Sequence, residues 1–428
     1  MRVDLVVINA GELLTLSGPS GPRVRDDMRN LGIIRDGAVA IRDGRIALVG
    51  ETREVLGKVS GGYRVIDAEG RVVAPGFIDP HVHLVFNDTR EDELEKMIMG
   101  YTYLELKSSG GGMPRTIRLT REASTGRLIK RCIEILNRML IHGTTTIEAK
   151  SGYEMTLEGE IRQLEVINIL NEIHPIEIKP TFCAQAIPPE WEGREWEYTR
   201  RISDEWLPEI ARRGLADFVD VFCEEGFFTV EQSRVILGKA RELGFKLKIH
   251  ADWLKNSGGG TLAEELGVVS ADHLIFTPLN VINRLAETGA IGVLLPTTPF
   301  CYLGRYADAR KLIESGLPIA LGTDLSAINM CESMQMMMTI ACLQMKMLPS
   351  EAYTASTINA AYSIGLGGEI GSIEVGKQGD LIILDMPSYR HIPFHYGVNL
   401  VDTVIKRGRV VVEEGDMLFM ERLDMYNP

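Results

Sequence analysis

The sequence predicts an α/β fold: a (β/α)8 barrel of the TIM type with a small β-sandwich built from both chain ends. Three observations predict it. Eight short apolar runs in the middle of the chain alternate with stretches patterned as helices. Several of those runs end in histidine or aspartate, where a barrel of this kind places its active site. Both ends of the chain read as short strands. A length of 428 residues suffices for one large α/β unit and a smaller one beside it.

Residues 1–73 are expected to form the N-terminal part of the small domain. Ala38-Val39-Ala40-Ile41 and Ile46-Ala47-Leu48-Val49 flank Asp43-Gly44, a tight-turn signal between two strands. Arg64-Val65-Ile66-Asp67 and Arg71-Val72-Val73 continue the pattern. Residues 371–428 supply the C-terminal part, through Leu381-Ile382-Ile383-Leu384 and Val410-Val411-Val412. Two β-rich ends around a long middle are expected to pair into one sheet domain. Residues 74–370 form the barrel, with apolar runs at 76–84, 144–149, 177–186, 218–223, 245–250, 268–273, 291–295 and 319–324. Helical patterning covers 126–141, 158–173, 201–213, 230–243, 261–266, 280–288 and 307–315. An open doubly wound sheet would need a glycine-rich phosphate loop after its first strand. Gly110-Gly111-Gly112 lies in a loop instead and reads as a flexible segment or substrate lid.

Composition narrows the function. With 45% hydrophobic and 25% charged residues the chain is an ordinary globular one. A net charge of −13 argues against nucleic acid as the partner but not against a small anion held by one or two arginines. Cys132, Cys183, Cys223, Cys301, Cys331 and Cys342 show no paired spacing, which reads as reduced thiols and a cytoplasmic location. No signal pattern and no membrane-length apolar run is seen, so the expected partner is a small-molecule substrate.

The polar strand ends carry the chemistry. In His81-Val82-His83 both imidazoles project to one side of a strand and reach one point beyond its end. Run five ends in His250, run six in Asp272-His273 and run eight in Asp324. Neutral imidazoles with one carboxylate, leaving a position for water, make a catalytic zinc-type set, so His81, His83, His250 and Asp324 are the expected ligands. His273 is better placed to polarise a substrate carbonyl. One divalent metal is expected, zinc first, with iron or manganese next.

Pro75-Gly76-Phe77-Ile78-Asp79-Pro80-His81-Val82-His83, His250, Ala271-Asp272-His273 and Gly322-Thr323-Asp324 resemble the amidohydrolase superfamily. More specific likenesses lie in Tyr101-Thr102-Tyr103-Leu104-Glu105, Thr144–Tyr153, Ala186-Ile187-Pro188-Pro189 and Pro393-Phe394-His395-Tyr396. They point to the branch of that superfamily that opens imidazolone rings. The resemblance implies hydrolysis of 4-imidazolone-5-propanoate to N-formimidoyl-L-glutamate in histidine degradation, and a homodimer. It places substrate contacts on Arg90, whose guanidinium suits a propionate, and on Tyr153. Asp324 would accept the proton of the attacking water and His273 would stabilise the oxyanion.

Three positions depart from the family pattern. Trp253 stands where a proton-shuttling glutamate is usual, Gln185 where a substrate-facing histidine is usual, and Leu325–Met330 replaces an Asn-Pro-Gly loop. Gln185 and Trp253 are therefore expected to line a rebuilt pocket, Trp253 as an aromatic wall for a planar ring. Glu225 is expected either to reach the site in place of the glutamate or to brace it. Alternative readings are an amidohydrolase for another cyclic amide, a ring-amine deaminase, or a metal-bearing scaffold without catalysis. Lys150 reads as a salt-bridged or surface residue, His395 and Tyr396 as fixing the domain junction, His142 and His174 as structural or solvated, and Met334–Met338 as helix packing.

Overall fold

Eight parallel strands carry the middle of the chain in strict sequence order: β1 Phe77–Val82, β2 Thr144–Lys150, β3 Glu177–Ala184, β4 Phe218–Cys223, β5 Lys246–Ala251, β6 Ser270–His273, β7 Ile291–Leu294 and β8 Ile319–Leu321. The computed structural model describes residues 1–101, 105–106 and 110–419. Of the specific likenesses noted above, Thr102, Tyr103 and Leu104 lie outside the described residues, as do Ser108 and Ser109 before the glycine run.

The sheet closes into a barrel where the chain beyond β8 returns to β1. The Asp324 N–H donates to the His81 carbonyl at 3.0 Å, and the His83 N–H to the Leu325 carbonyl at 2.8 Å. Closure thus places Asp324 beside both histidines of β1. Residues of β1, β2 and β4 are buried throughout, as expected when both faces of a parallel sheet are covered.

Helices fill the crossovers, and their starts are written locally. Ser124 caps Thr125–Ile141 by accepting from the Arg127 N–H at 3.2 Å, and Thr156 caps Leu157–Ile173 from Gly159 at 3.1 Å. Thr229 and Gln232 form a capping box at Val230–Glu242. The stretch expected as one helix over 201–213 begins earlier, at Glu195, and passes through a wide turn at Ile202–Trp206 before Leu207–Arg213. The sequence reading missed Glu91–Ile98, Met113–Glu122, Pro349–Ala355 and Ile358–Ser363. Met334–Met345 forms the helix expected there, and Met334, Met337 and Met338 are buried in the core.

The two chain ends pair as expected. Val72–Pro75 runs antiparallel to Leu381–Leu384 in a seven-stranded sheet, and Gly37–Arg42 pairs with Arg45–Glu51 across Asp43-Gly44 in a four-stranded one. Leu5, Val7, Val39 and Ile41 of one sheet pack on Leu13, Val73, Leu381 and Ile383 of the other. His395 and Tyr396 do not fix the junction: both are exposed. Asn399 does so instead, accepting from Gln335 at 2.8 Å and donating to the Ile141 carbonyl at 3.1 Å. His174 is buried and structural, accepting the Ile176 N–H at 3.1 Å.

Candidate active site

The ends of β1, β5, β6 and β8 bring four imidazoles and one carboxylate to one end of the barrel. Ring centroids of His81 and His250 stand 4.6 Å apart, His81 and His83 5.3 Å, and His250 and His273 5.4 Å. Asp324 Oδ1 lies 3.5 Å from His81 Nε2 and 3.6 Å from His83 Nε2. Ligand-type atoms of His81, His83 and Asp324 fall within 4.8 Å of one another, and so do those of His81, His250 and His273. All four residues expected as ligands are therefore brought together, and His273 shares the cluster.

The second nitrogen of two rings is held by a carboxylate. His81 Nδ1 lies 2.6 Å from Asp272 Oδ2, and His250 Nδ1 3.1 Å from Asp220. With Nδ1 engaged, Nε2 of each ring is left as the free lone pair. Both Nε2 atoms are buried and have no hydrogen-bond partner. An orphaned buried acceptor costs on the order of 1–3 kcal/mol. Two of them beside an aspartate fit a divalent metal ion, whose coordination would satisfy both.

Electrostatics agree with that fit. Burial pushes His81, His83 and His273 well below the usual imidazole value, so they stand neutral. Burial raises the Asp324 carboxyl to about 6, against a hydrogen bond from Thr298 Oγ1 at 2.5 Å that pulls it down. Two of these residues adopt the left-handed region that side chains rarely enter, His273 at φ 75° and Asp324 at φ 51°. Such conformations cost on the order of 1–3 kcal/mol and cluster at working sites.

The cluster floors a cavity of about 340 Å³ lined also by Arg90, Tyr153, Gln185, Phe222, Trp253, Tyr302 and Arg305. Arg90 is buried rather than solvated. Its guanidinium stands 3.4 Å from Glu93, and its backbone N–H donates to Ala327 in the loop after Asp324. Tyr153 is buried 5.7 Å from the His83 ring, and burial holds its phenol far up, protonated and able to donate. Gln185 accepts from the Cys183 thiol at 3.0 Å.

Trp253 is less open than a stacking wall requires. Its ring lies nearly parallel to His273 at 5.5 Å and tilted on Phe222 at 5.7 Å, with Tyr302 at its edge. The indole thus packs the His273 imidazole in place. Glu225 does not reach the cavity: it is exposed and pairs with Lys255. Glu224 turns the other way, accepting the Leu254 N–H at 2.9 Å and the Ser257 hydroxyl. Lys150, read as a salt-bridged or surface residue, is salt-bridged to Glu148 and Asp220 and is not at the surface but fully buried inside the barrel.

Comparison with known proteins places this geometry. Residues 72–411 match the amidohydrolase family. The chain belongs to that family. The amidohydrolase is 46% identical to the imidazolonepropionase of Geobacillus kaustophilus over 417 residues, covering 96% of this chain and 98% of that protein. It is 45% identical to the imidazolonepropionase of Symbiobacterium thermophilum over 420 residues, with 96% and 98% covered. Among solved structures, a zinc-bound adenosine deaminase from Xanthomonas campestris superposes with a TM-score of 0.73 at 18% identity, covering 99% of this chain and 98% of that one. A triazine hydrolase variant does so with a TM-score of 0.74 at 16% identity, covering 99% and 97%. Likeness at that identity speaks for the shared fold. This amidohydrolase is a hydrolase, and its histidines and aspartate form a candidate site for a divalent metal.

Proposed function

We propose that this amidohydrolase opens the ring of 4-imidazolone-5-propanoate by hydrolysis, giving N-formimidoyl-L-glutamate in histidine degradation. The observation that carries the reading is the near full-length likeness to imidazolonepropionases, at 46% identity over 96% of the chain. The cavity supports it by setting Arg90 and Tyr153 in the same space as the histidine and aspartate cluster. His81, His83, His250 and Asp324 would hold the ion, with zinc the first choice. When bound, a divalent metal supplies Lewis acidity and an acidified water.

The chain's own residues do the rest. Arg90 takes the propionate as a charge-assisted pair and Tyr153 donates to the substrate, with Gln185 and Trp253 closing the pocket. His273 faces the scissile carbonyl as a donor to the developing oxyanion. Asp324 accepts the proton of the attacking water. The leaving ring nitrogen then needs a proton. Among the described residues lining the cavity Asp324 is the one carboxylate, so it is also the group placed to return that proton. Residues 74–370 form the catalytic barrel in this reading, supported by 1–73 with 371–428, and two copies associate as a homodimer.

The deciding experiment follows the ultraviolet absorbance of imidazolone propionate with zinc-loaded protein and with Asp324→Asn. Metal-dependent decay that falls at least about 1,000-fold in the variant is expected. Absence of decay in a fully metallated native protein would sink this substrate, and release of ammonia from a ring amine would replace it with deamination.

A further inference from the structure

Beneath the histidine cluster the barrel interior holds charged side chains with no solvent exposure, among them Glu148, Lys150, Asp220, Lys248 and Asp272. Barrels of this type ordinarily fill that space with layers of branched apolar side chains. Buried charges cost several kcal/mol each unless paired, so such a layer is an expensive way to fill a core. Its arrangement follows from alternation along the strands. Glu148 and Lys150 share the inward face of β2, and Lys248 and His250 that of β5.

Two of the carboxylates are those that hold His250 and His81 by Nδ1. Lys150 Nζ donates to Asp220 Oδ2 at 2.6 Å and to Glu148 at 2.9 Å, and stands 3.9 Å from Asp272 Oδ2. That Asp272 oxygen is the same one that meets His81, while its other oxygen accepts from Ser270 at 2.7 Å. Lys248 is equally buried but differently engaged. It donates to the Pro80 carbonyl at 2.9 Å and lies 4.0 Å from Asp272. Among the described residues, Lys150 is the one cation that pairs with both histidine-holding carboxylates.

We propose that Lys150 is a positioning residue for the metal centre, bridging Asp220 and Asp272 so that the rings of His250 and His81 are aimed together with Nε2 outward. The inference rests on the metal reading of the site and names what holds that site in shape. Each imidazole can swing about its side-chain bonds, and its carboxylate restricts that swing only if the carboxylate is itself fixed. Among the described residues, Asp220 has side-chain hydrogen bonds with His250 and Lys150 alone, so its orientation is set by the ammonium below it. Partners of this kind beyond the ligands are worth about 10–100-fold in metal affinity.

The opposite sign of a simple charge effect makes the proposal testable. Removing a cation near a metal site would by itself tighten metal binding, so a loss of affinity reports lost positioning.

The experiment strips the full-length protein with chelator and titrates zinc back against a chromophoric competitor, for the native chain, Lys150→Met, Lys150→Gln and Lys248→Met. Visible bands of the cobalt-loaded forms report ligand geometry. Lys150→Met is expected to lose about 10–100-fold in zinc affinity with altered cobalt bands. Lys150→Gln, which keeps a donor for Asp220, should recover part of the loss, and Lys248→Met should lower the melting temperature while binding zinc nearly as the native chain does. A folded Lys150→Met with unchanged or tighter zinc binding overturns the proposal. So does an equal loss in Lys248→Met, or failure of both Lys150 variants to fold, since either assigns Lys150 to the fold alone. A native chain that binds neither zinc nor cobalt would overturn the metal reading itself, and this inference with it.

Discussion

Asp324 gives the site a pH dependence, because burial leaves this expected ligand with a proton that a metal must displace near neutrality. Its carboxyl is raised to about 6, whereas His81, His83 and His273 are already neutral there. In the metal-free protein Asp324 holds its proton below that value and loses it above. Zinc affinity is therefore expected to be nearly flat above about pH 7 and to fall about tenfold per unit below 6, once the competitor's own protonation is corrected for. A flat profile down to about pH 5 would remove Asp324 from the ligand set. At Arg90, replacement by lysine keeps the charge but loses the planar fork. A rise in KM of about 10–100-fold with a smaller change in kcat is expected for a propionate-bearing substrate. An equal fall in kcat with KM unchanged would place Arg90 outside substrate binding. Trp253→Glu restores a carboxylate beside His273, where the family pattern has one. If proton return by Asp324 limits turnover, kcat should rise by up to about 100-fold with a new acid limb in its pH profile. An unchanged kcat would show that Trp253 matters for packing His273 rather than for a missing proton relay. These single positions were unevenly legible. His81, His83, His250 and Asp324 announce themselves as polar ends to apolar runs. Lys150 and Lys248 do not, since a lysine in a strand gives no sign in sequence that it faces a barrel interior full of carboxylates.

Elements place those residues, and where the strands begin is more legible in the sequence than where they stop. All eight barrel strands fall on the predicted runs, and most residues of each are buried in the covered parallel sheet. Strand eight was read through Asp324 but stops at Leu321. Past that point the backbone turns, and Thr323 is tied down to Asp79, its N–H at 3.0 Å and its hydroxyl at 2.5 Å. That contact comes from β1, which lies beside β8 only once the barrel closes, so local pattern did not contain it. The short helices Pro349–Ala355 and Ile358–Ser363 are buried nearly all round, which erases the amphipathic period that reveals a helix. At the other end of the barrel, Gly76 is the hinge between the small sheet and β1. A Cβ there would sit 2.3 Å from Thr145 Cγ2 and 2.4 Å from its Oγ1 on β2. Gly76→Ala should therefore push β1 off β2 and destabilise by about 1–3 kcal/mol, read as a lower melting temperature. Because β1 carries His81 and His83, zinc affinity should fall with it. Retention of both native values would show that Thr145 yields without moving the strand.

At the scale of the whole molecule, the metal site is also a closure of the barrel. Its candidate ligands come from β1, β5 and the turn after β8, so an ion held there would join the first strand to the last and to one across the barrel. The sequence marks these residues as strand ends, and it is closure of the sheet that brings residues 81 and 324 together. Metal binding is therefore expected to stabilise the entire fold and not just the cavity. A ligand present at about 100 times its Kd adds about 2.7 kcal/mol to a protein that binds it only when folded. Without metal, the unpaired Nε2 atoms of His81 and His250 remain buried at a cost of their own. Chelation should thus lower the melting temperature by several degrees, zinc should restore it, and the shift should grow with the logarithm of free zinc. The same titration on Asp324→Asn should show a much smaller shift, while the protected core of β2 to β4 exchanges its amide hydrogens as in the native chain. Were chelation to leave the melting temperature unmoved in a protein shown to have lost its metal, the ion would be bound at the barrel's rim without tying its strands together.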